Sequence, residues 1–279
     1  MNRTTLLKLG GSLITDKSRP YSPRQDVLAR LASEIARARQ GAPELTLVIG
    51  HGSGSFGHTP AKEYGTRDGL PPSPPAPRPP GEGGSHPYWR GFAEVWYQAS
   101  VLNRLVMDAL HAAGVSTVAL APVAAVTARE GKLSRWDLTQ LKAALEAGLV
   151  PVVYGDVVFD TARGGTILST EDFFEHLAQE LRPAHILLAG LEAGVWADFP
   201  VRKLLVERIT PDSFDEIRRG VGGSHGADVT GGMESKVRQM LALVQQIPEL
   251  TVQIFSGEGP GNLERALQGE VLGTIISEG

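Results

Sequence analysis

The segment from Gly50 to His58 follows an apolar run at residues 45–49 that predicts a buried strand. Small residues after a strand expose main-chain amides, which together with the start of a helix form a site for an anion such as phosphate. A lone histidine is more often structural, but the place of His58 in this glycine-rich loop favours a binding role. No further ligands at metal-binding spacing accompany His51 and His58, so we expect no zinc site.

A second glycine-rich segment carries two lysines. Lys8 lies at the end of the first predicted strand, just before Gly10, Gly11 and Ser12, and Lys17 follows shortly after. Lysine supplies a mobile positive charge to a phosphate, while glycines let main-chain amides approach its oxygens. The lysine precedes the glycines, so this is not a Walker motif. The alternative is a strand-end lysine that reaches solvent beside a simple turn.

The segment 228–236 repeats this pattern at the start of a helix. Thr230 is a candidate helix cap, and Gly231 and Gly232 form a turn that could approach a phosphate. Lys236 lies about one turn inside the helix. A flexible loop with a surface lysine is the alternative, and two comparable loops elsewhere in the chain make it less favoured.

Acidic residues follow two other predicted strands. Gly155 and Asp156 come directly after the apolar run 150–154, and Asp156 lies between two apolar runs, where a solvated role is less available. The segment 169–172 predicts a capped helix start. Its acids, Glu171 among them, are either ordinary first-turn acids or groups that orient nearby ammonium ions.

The elements that must position these residues alternate between strands and helices. Strands are predicted at residues 5–9, 45–49, 116–120, 150–154, 185–189, 251–255 and 274–277, and helical spacing covers 27–35, 102–110 and 237–244. This alternation predicts an α/β fold, an open αβα sandwich with a mostly parallel central sheet. Ligands of such sheets bind beyond the carboxyl ends of strands, where the glycine-rich segments lie.

Composition limits the partners. The chain has 279 residues, 42% of them hydrophobic, a formal net charge of −4 and no cysteine. A large core is therefore available, and neither nucleic acid nor a membrane is an expected partner. The missing cysteines exclude disulfides and fit a cytoplasmic location. No segment suggests export or a membrane span.

One stretch departs from this alternation. Residues 71–80 contain seven prolines, followed by a glycine-rich stretch to residue 84. No helix or sheet ladder forms from such a sequence. A solvated insertion in a surface loop is favoured over a lid above a site near His58.

In this order, the segments resemble the amino acid kinase superfamily and, within it, the isopentenyl phosphate kinases. The resemblance runs nearly end to end, and it is carried by Lys8 to Ser12 with Lys17, Ser55 to His58, Ala61 to Gly65, Gly155 with Asp156, and Asp228 to Met233 with Lys236. The ending Ser-Phe-Gly-His separates this branch from acetylglutamate, aspartate, carbamate and uridylate kinases. The resemblance implies one amino acid kinase-like domain over residues 1–279. Its phosphate-acceptor lobe would extend to about residue 165 and carry the insertion 71–84, and its nucleotide lobe would begin at about residue 166.

The resemblance implies that ATP with Mg²⁺ phosphorylates isopentenyl phosphate to isopentenyl diphosphate for isoprenoid synthesis, in a homodimer. His58 would hold the acceptor phosphate, Lys8 would bridge the transferred group, Lys17 would steady its charge, and Lys236 would hold the ATP tail. The acceptor pocket would be completed by Gly52, Gly57, Gly155 and Asp156. Amides for the nucleotide would come from Gly10, Gly11, Ser12, Ser53, Gly231 and Gly232. Mg²⁺ would bind ATP rather than a protein site, because no carboxylate cluster is visible.

Two departures from the family pattern are visible. Members usually carry Gly-Asp where this chain has Thr170 and Glu171, so the acid that organises the lysines is one methylene longer. Their Asp-rich segment near the nucleotide is replaced by residues 189–195.

Three alternatives to the isopentenyl phosphate kinase function remain open. They are a kinase of another small phosphate or phosphonate such as fosfomycin, an inactive nucleotide-binding regulator, and a plain glycine-rich α/β scaffold.

Overall fold

The structure is a computed structural model that describes residues 4–70, 87–214 and 232–279. Its strands are β1 (Thr4–Leu9), β2 (Thr46–His51), β3 (Thr117–Ala119), β4 (Val126–Arg129), β5 (Lys132–Trp136), β6 (Val150–Tyr154), β7 (Asp156–Asp160), β8 (Gly164–Leu168), β9 (His185–Gly190), β10 (Val195–Trp196), β11 (Leu205–Val206), β12 (Arg208–Ile209), β13 (Thr251–Ser256) and β14 (Thr274–Ile276). Its α-helices are α1 (Gly11–Ile14), α2 (Gln25–Gly41), α3 (Gly54–Tyr64), α4 (Pro87–Ala112), α5 (Pro122–Ala125), α6 (Thr139–Glu146), α7 (Thr170–Leu181), α8 (Met233–Gln246) and α9 (Asn262–Leu267).

An eight-stranded sheet forms the centre of the fold. Its strand order is β12-β14-β13-β9-β1-β2-β6-β3, and neighbouring strands are parallel except for β13 and β14. All seven strands predicted from the sequence are confirmed in this sheet. The three predicted helical patterns are confirmed in α2, α4 and α8.

Both faces of the sheet are covered by helices. In β1, Leu6 belongs to a core shared with α7 and α8, whereas its neighbour Leu7 belongs to a second core shared with α2, α4 and α9. Successive residues of a strand point to opposite faces, so a strand buried on both sides needs an uninterrupted apolar run. The predicted αβα sandwich with a mostly parallel sheet is therefore confirmed.

A second sheet has no counterpart among the predicted strands. It has the order β5-β4-β7-β8, with β4 and β7 parallel and the outer pairs antiparallel. These strands have four or five residues each, and several residues of β4 and β5 are exposed and polar. Strands β4 and β5 therefore show no continuous apolar run of the kind that marks β2, β6 and β9.

The predicted loop from Gly50 to His58 is shorter than expected. Strand β2 continues through His51, and helix α3 begins at Gly54, so only Gly52 and Ser53 lie between them. His58 is therefore a helical residue in the second turn of α3. The proline-rich stretch 71–84, together with Thr230 and Gly231, lies outside the described residues.

Glycines at this turn make room for protein backbone. A Cβ on Gly11 would lie 2.5 Å from the amide nitrogen of Gly54, and one on Gly52 would lie 2.8 Å from the nitrogen of Gly11. Gly54 also has a positive φ of 49°, a conformation that glycine adopts without strain. The turns after β1 and β2 therefore pack backbone against backbone, which fixes the distance between the two predicted phosphate segments.

We expect Gly11→Ala to lower the free energy of unfolding by about 1–3 kcal/mol, the usual cost of overpacking. The matched control is Gly41→Ala at the end of α2, where the nearest atom to an added Cβ is 3.9 Å away. That variant should be neutral or slightly stabilising, because alanine favours a helix over glycine. Denaturant unfolding checks both variants, and equal stabilities would contradict the close contact.

Candidate active site

A cavity of about 820 Å³ opens at the carboxyl ends of the central strands. Residues that directly follow β1, β2, β6 and β9 line it, namely Gly10, Gly52, Gly155 and Leu191. Parallel strands present their carboxyl ends at one edge of a sheet, so segments far apart in sequence meet there.

Most of the predicted site residues line this one cavity. They are Lys8, Gly10, Gly11, Ser12, Lys17, Gly52, Ser53, His58, Gly155, Glu171 and Lys236. Gly57, Asp156 and Gly232 do not belong to its lining, and Gly231 lies outside the described residues. Gly232 instead precedes the first residue of α8 as its N-cap.

The centre of the site is an acidic residue between two lysines. Glu171 Oε1 forms an ion pair with the ammonium of Lys8 and lies 3.9 Å from Nζ of Lys236. Lys8 comes from β1, Glu171 from the first turn of α7, and Lys236 from α8. One carboxylate therefore holds two ammonium groups from distant parts of the chain.

The charge of Glu171 is maintained by these lysines. Burial alone would raise its pKa, but the positive charges of Lys8 and Lys236 outweigh burial and lower the pKa to about 2. The next residue, Asp172, caps the helix instead of binding a lysine. Its Oδ2 accepts a hydrogen bond from the amide of Ser169, whose hydroxyl accepts one from the Asp172 amide. This capping box confirms the predicted capped helix start, makes Ser169 the cap and Thr170 the first helical residue, and fixes the start of α7.

Two residues predicted for the acceptor pocket, Asp156 and Gly57, are enclosed by other parts of the protein. Asp156 is buried, and its Oδ2 has no hydrogen-bond partner. Burial raises the pKa of Asp156 well above its ordinary value, against a hydrogen bond from the Val157 amide that lowers it. An added Cβ on Gly57 would lie 2.3 Å from Ser53 Oγ. A direct contact of either residue with an acceptor stays a prediction.

The other end of the cavity is aromatic, and sequence reasoning missed it. Glu192 accepts hydrogen bonds from the indole of Trp196 at 2.9 Å and from Arg202 at 2.8 Å. The Arg202 guanidinium lies over the ring of Phe199, 5.2 Å from its centroid. These residues lie in loops and in a two-residue strand, where no hydrophobic period exists to mark them.

A further cation at the cavity was also missed. Arg24 precedes α2 and forms two hydrogen bonds with the Glu258 carboxylate while also donating to the Leu13 carbonyl. This pair ties the start of α2 to the loop after β13. The helical pattern from Val27 onward was the signal that could have drawn attention to a side chain at this helix start.

In the parts of the chain that the structure describes, no group of three acidic or histidine side chains could hold a metal ion. Within the same ranges, no helix combines the length and apolar composition that a membrane crossing needs.

The sequence matches the model of the amino acid kinase family over residues 3–256. The isopentenyl phosphate kinase of Methanothermobacter thermautotrophicus is 36% identical over 98% of both chains, and that of Haloferax volcanii is 36% identical over 97% of both. The chain belongs to the amino acid kinase family, within the isopentenyl phosphate kinases. A solved structure described as isopentenyl phosphate kinase superposes with a TM-score of 0.79 at 33% identity, covering 98% of this chain and 100% of that one.

Membership confirms the family that the glycine and lysine segments predicted. A uridylate kinase from Colwellia psychrerythraea is also similar, at 25% identity over 99% of this chain. Its identity is below the 36% of the two isopentenyl phosphate kinases, and the histidine of the Ser-Phe-Gly-His sequence, His58, lines the cavity of this isopentenyl phosphate kinase family member.

We expect Glu171→Gln to lower the free energy of unfolding by roughly 3 kcal/mol at pH 7, because it breaks a buried ion pair. The native carboxyl has a pKa lowered from 4.5 to about 2, so it stabilises the fold above pH 4.5 and loses this contribution as the pH falls towards 2. The variant should therefore show a shallower loss of stability over this acid range.

The matched control for this change is Glu146→Gln, an exposed glutamate in α6, which should leave both the stability and its acid slope unchanged. Denaturant unfolding at several pH values measures both quantities. An unchanged acid slope in Glu171→Gln would contradict the charge state described here.

Proposed function

We propose that this protein transfers the γ-phosphate of ATP to isopentenyl phosphate, producing isopentenyl diphosphate and ADP. The observation that carries the proposal is the meeting of Lys8, Lys236 and His58 in one cavity with the amides at the start of α3. Five curated isopentenyl phosphate kinases are similar over at least 97% of this chain, which supports this acceptor.

The chemistry suits a site without a nucleophilic side chain. A phosphate monoester has a second pKa of about 6, so the acceptor is largely dianionic near neutral pH and needs no strong base. Its oxygen attacks the γ-phosphorus, the bond to the bridging oxygen of ADP breaks, and no proton has to move. Such a transfer depends on alignment and on charge neutralisation.

Each part of the cavity has a role in this proposal. His58 donates a hydrogen bond to the acceptor phosphate, Lys8 bridges the transferred group, and Lys17 neutralises charge that develops on it. Lys236 holds the β- and γ-phosphates. Amides that can approach these phosphates come from Gly11, Ser12 and Ser53. The predicted amide donors Gly10 and Gly52, and Gly155 at the acceptor side, instead donate their N–H groups to the carbonyls of Ala189, Leu9 and His51, so these glycines contribute space and not a donor.

Glu171 acts on the lysines, not on the substrates. Its carboxylate is buried and shared by Lys8 and Lys236, so it sets the positions from which the two ammonium groups reach the phosphates. The extra methylene relative to aspartate is accommodated, since the carboxylate still contacts Lys8. We also propose that the nucleotide base lies at the aromatic end of the cavity, in the lobe from about residue 166.

Mg²⁺ fits this site as a partner of ATP. The carboxylates at the cavity are already engaged: Glu171 with lysines, Glu192 with Trp196 and Arg202, and Asp16 with Ser18. The ATP oxygens would therefore hold the ion, which supplies charge neutralisation when bound. The absence of cysteine supports our proposal of a cytoplasmic location.

The test is ADP release by purified protein given MgATP and isopentenyl phosphate. We expect turnover, and we expect His58→Ala to reduce kcat/KM on the order of a hundredfold, a typical loss for one positioned donor. His111→Ala, at an exposed histidine near the end of α4, is the matched control and should retain full activity.

Two outcomes would contradict this proposal. Turnover of fosfomycin without turnover of isopentenyl phosphate would overturn the acceptor. Full activity in His58→Ala would remove the role of the histidine while leaving the reaction in place.

We further propose a homodimer that covers the outer face of α4. Trp96 and Tyr97 are adjacent on this helix and are 41% and 55% exposed, and paired aromatic residues are typical of interfaces.

Trp96→Glu should shift the protein from dimer to monomer in light scattering, because it places a charge in the proposed interface. Val271→Glu, at another exposed apolar residue, is the control and should leave the mass unchanged; a monomeric wild-type protein would contradict the proposal.

A further inference from the structure

His51 has no part in the transfer proposed above, although it is the last residue of β2 and is completely buried. Its ring is stacked on Tyr154, with centroids 5.3 Å apart and an angle of 10° between the planes. Nδ1 lies 3.2 Å from the Gly52 carbonyl oxygen, and Nε2 lies 3.2 Å from Oδ1 of Asn103 in α4. The ring thus joins the turn after β2 to the long helix behind it.

The ring is neutral at physiological pH. Burial lowers the pKa of His51 to about 4, and the nearby charge of Lys8 acts in the same direction against the hydrogen bonds to Gly52 and Asn103. The stacked Tyr154 is uncharged at this pH as well, and burial raises its pKa further, to about 12. A neutral imidazole carries a single N–H.

The surroundings decide which nitrogen carries that hydrogen. The Gly52 carbonyl is main chain and can only accept a hydrogen bond, whereas the side-chain amide of Asn103 can turn its NH₂ group towards the ring. Both contacts are satisfied when Nδ1–H donates to Gly52 O and Nε2 accepts from Asn103. This is the tautomer protonated at Nδ1.

The bond to Gly52 also orients the next amide. In a trans peptide, the carbonyl of Gly52 and the N–H of Ser53 point in opposite directions. The carbonyl points at the buried ring, so the Ser53 amide points away from it, and Ser53 lines the cavity. Among the described residues, no hydrogen bond from this amide to another group is present.

Without an anchor, this peptide has freedom to turn. Gly52 has no side chain to restrict its backbone, and Gly54 follows with a positive φ. A turned peptide would point the Gly52 carbonyl oxygen into the cavity, where it would repel phosphate oxygens, and would withdraw one amide donor.

We propose that His51 is a positioning residue whose Nδ1–H holds the Gly52 carbonyl and thereby keeps the Ser53 amide directed at the phosphates of ATP. The inference deepens the proposed function and rests on it. Through Asn103 and Tyr154, the same ring ties this orientation to α4 and β6.

Two substitutions of His51 by amide side chains distinguish this positioning role from simple packing. Asparagine at position 51 places its NH₂ near the position of Nδ1, and glutamine places its NH₂ near that of Nε2. His51→Asn should therefore keep kcat within about threefold of wild type, and His51→Gln should lose on the order of tenfold to a hundredfold, as when one positioned donor is removed. ATP affinity, measured by calorimetry without acceptor, should follow the same order.

A merely structural residue would give another pattern. If His51→Asn and His51→Gln lose activity in proportion to their lower melting temperatures, with no rescue by asparagine, the inference is overturned. Failure of the proposed function would be visible separately, as wild-type protein that binds ATP without phosphorylating isopentenyl phosphate. The two ATP affinities would then still decide the role of His51.

A measurement on the wild-type protein tests the same proposal without depending on whether a variant folds. Nitrogen-15 chemical shifts of the His51 ring at pH 7 report which nitrogen is protonated. We expect a neutral ring with hydrogen on Nδ1. Hydrogen on Nε2 alone, or an imidazolium, would overturn the proposed bond.

Discussion

The active site depends on one carboxylate shared by two lysines. Lys8 and Lys236 are separated by most of the chain, and two ammonium ions brought together in a largely buried place would repel each other without Glu171 between them. Glu171 is itself placed by the capping box that fixes the start of α7. Because one negative charge balances two positive ones, this end of the cavity keeps a surplus of positive charge for phosphates.

The spacing of the site comes from backbone contacts. The turns after β1 and β2 touch at Gly11, Gly52 and Gly54, with no side chains between them. Two sets of amides therefore face one cavity at a separation that side-chain motion cannot change. Glycines after a buried strand predict that main-chain amides are exposed to an anion, but Gly11 and Gly52 first make room for the neighbouring turn. The approach of the amides to the cavity follows from this contact.

The sequence was most informative where a single physical rule connects residue type to place. Glycines and lysines at the ends of buried strands predicted that these segments meet at one cavity, because all parallel strands of a sheet end at the same edge. Residue type alone does not choose between the neighbouring acids Glu171 and Asp172, and only the family resemblance points to Glu171. The turn of the helix supplies the physical reason, because Glu171 faces the lysines and Asp172 faces the cap. The short strands of the second sheet and the loop residues Trp196 and Arg202 have no periodic pattern that would reveal them.

The two ends of the cavity differ in how their charges are engaged. At the aromatic end, Arg202 is held by Glu192, and elsewhere on the cavity lining Arg24 is held by Glu258, so these guanidinium groups bring little uncompensated charge. At the other end, Lys8 and Lys236 share Glu171, and the neutral His51 beneath them adds no positive charge of its own. A long molecule with phosphates at one end and a flat ring at the other would match this gradient, because the surplus charge and the cavity-facing amides coincide while the aromatic wall lies apart. The same gradient explains why burial of His51 matters: a protonated ring beside Lys8 would add repulsion at the point where the amide of Ser53 must stay fixed.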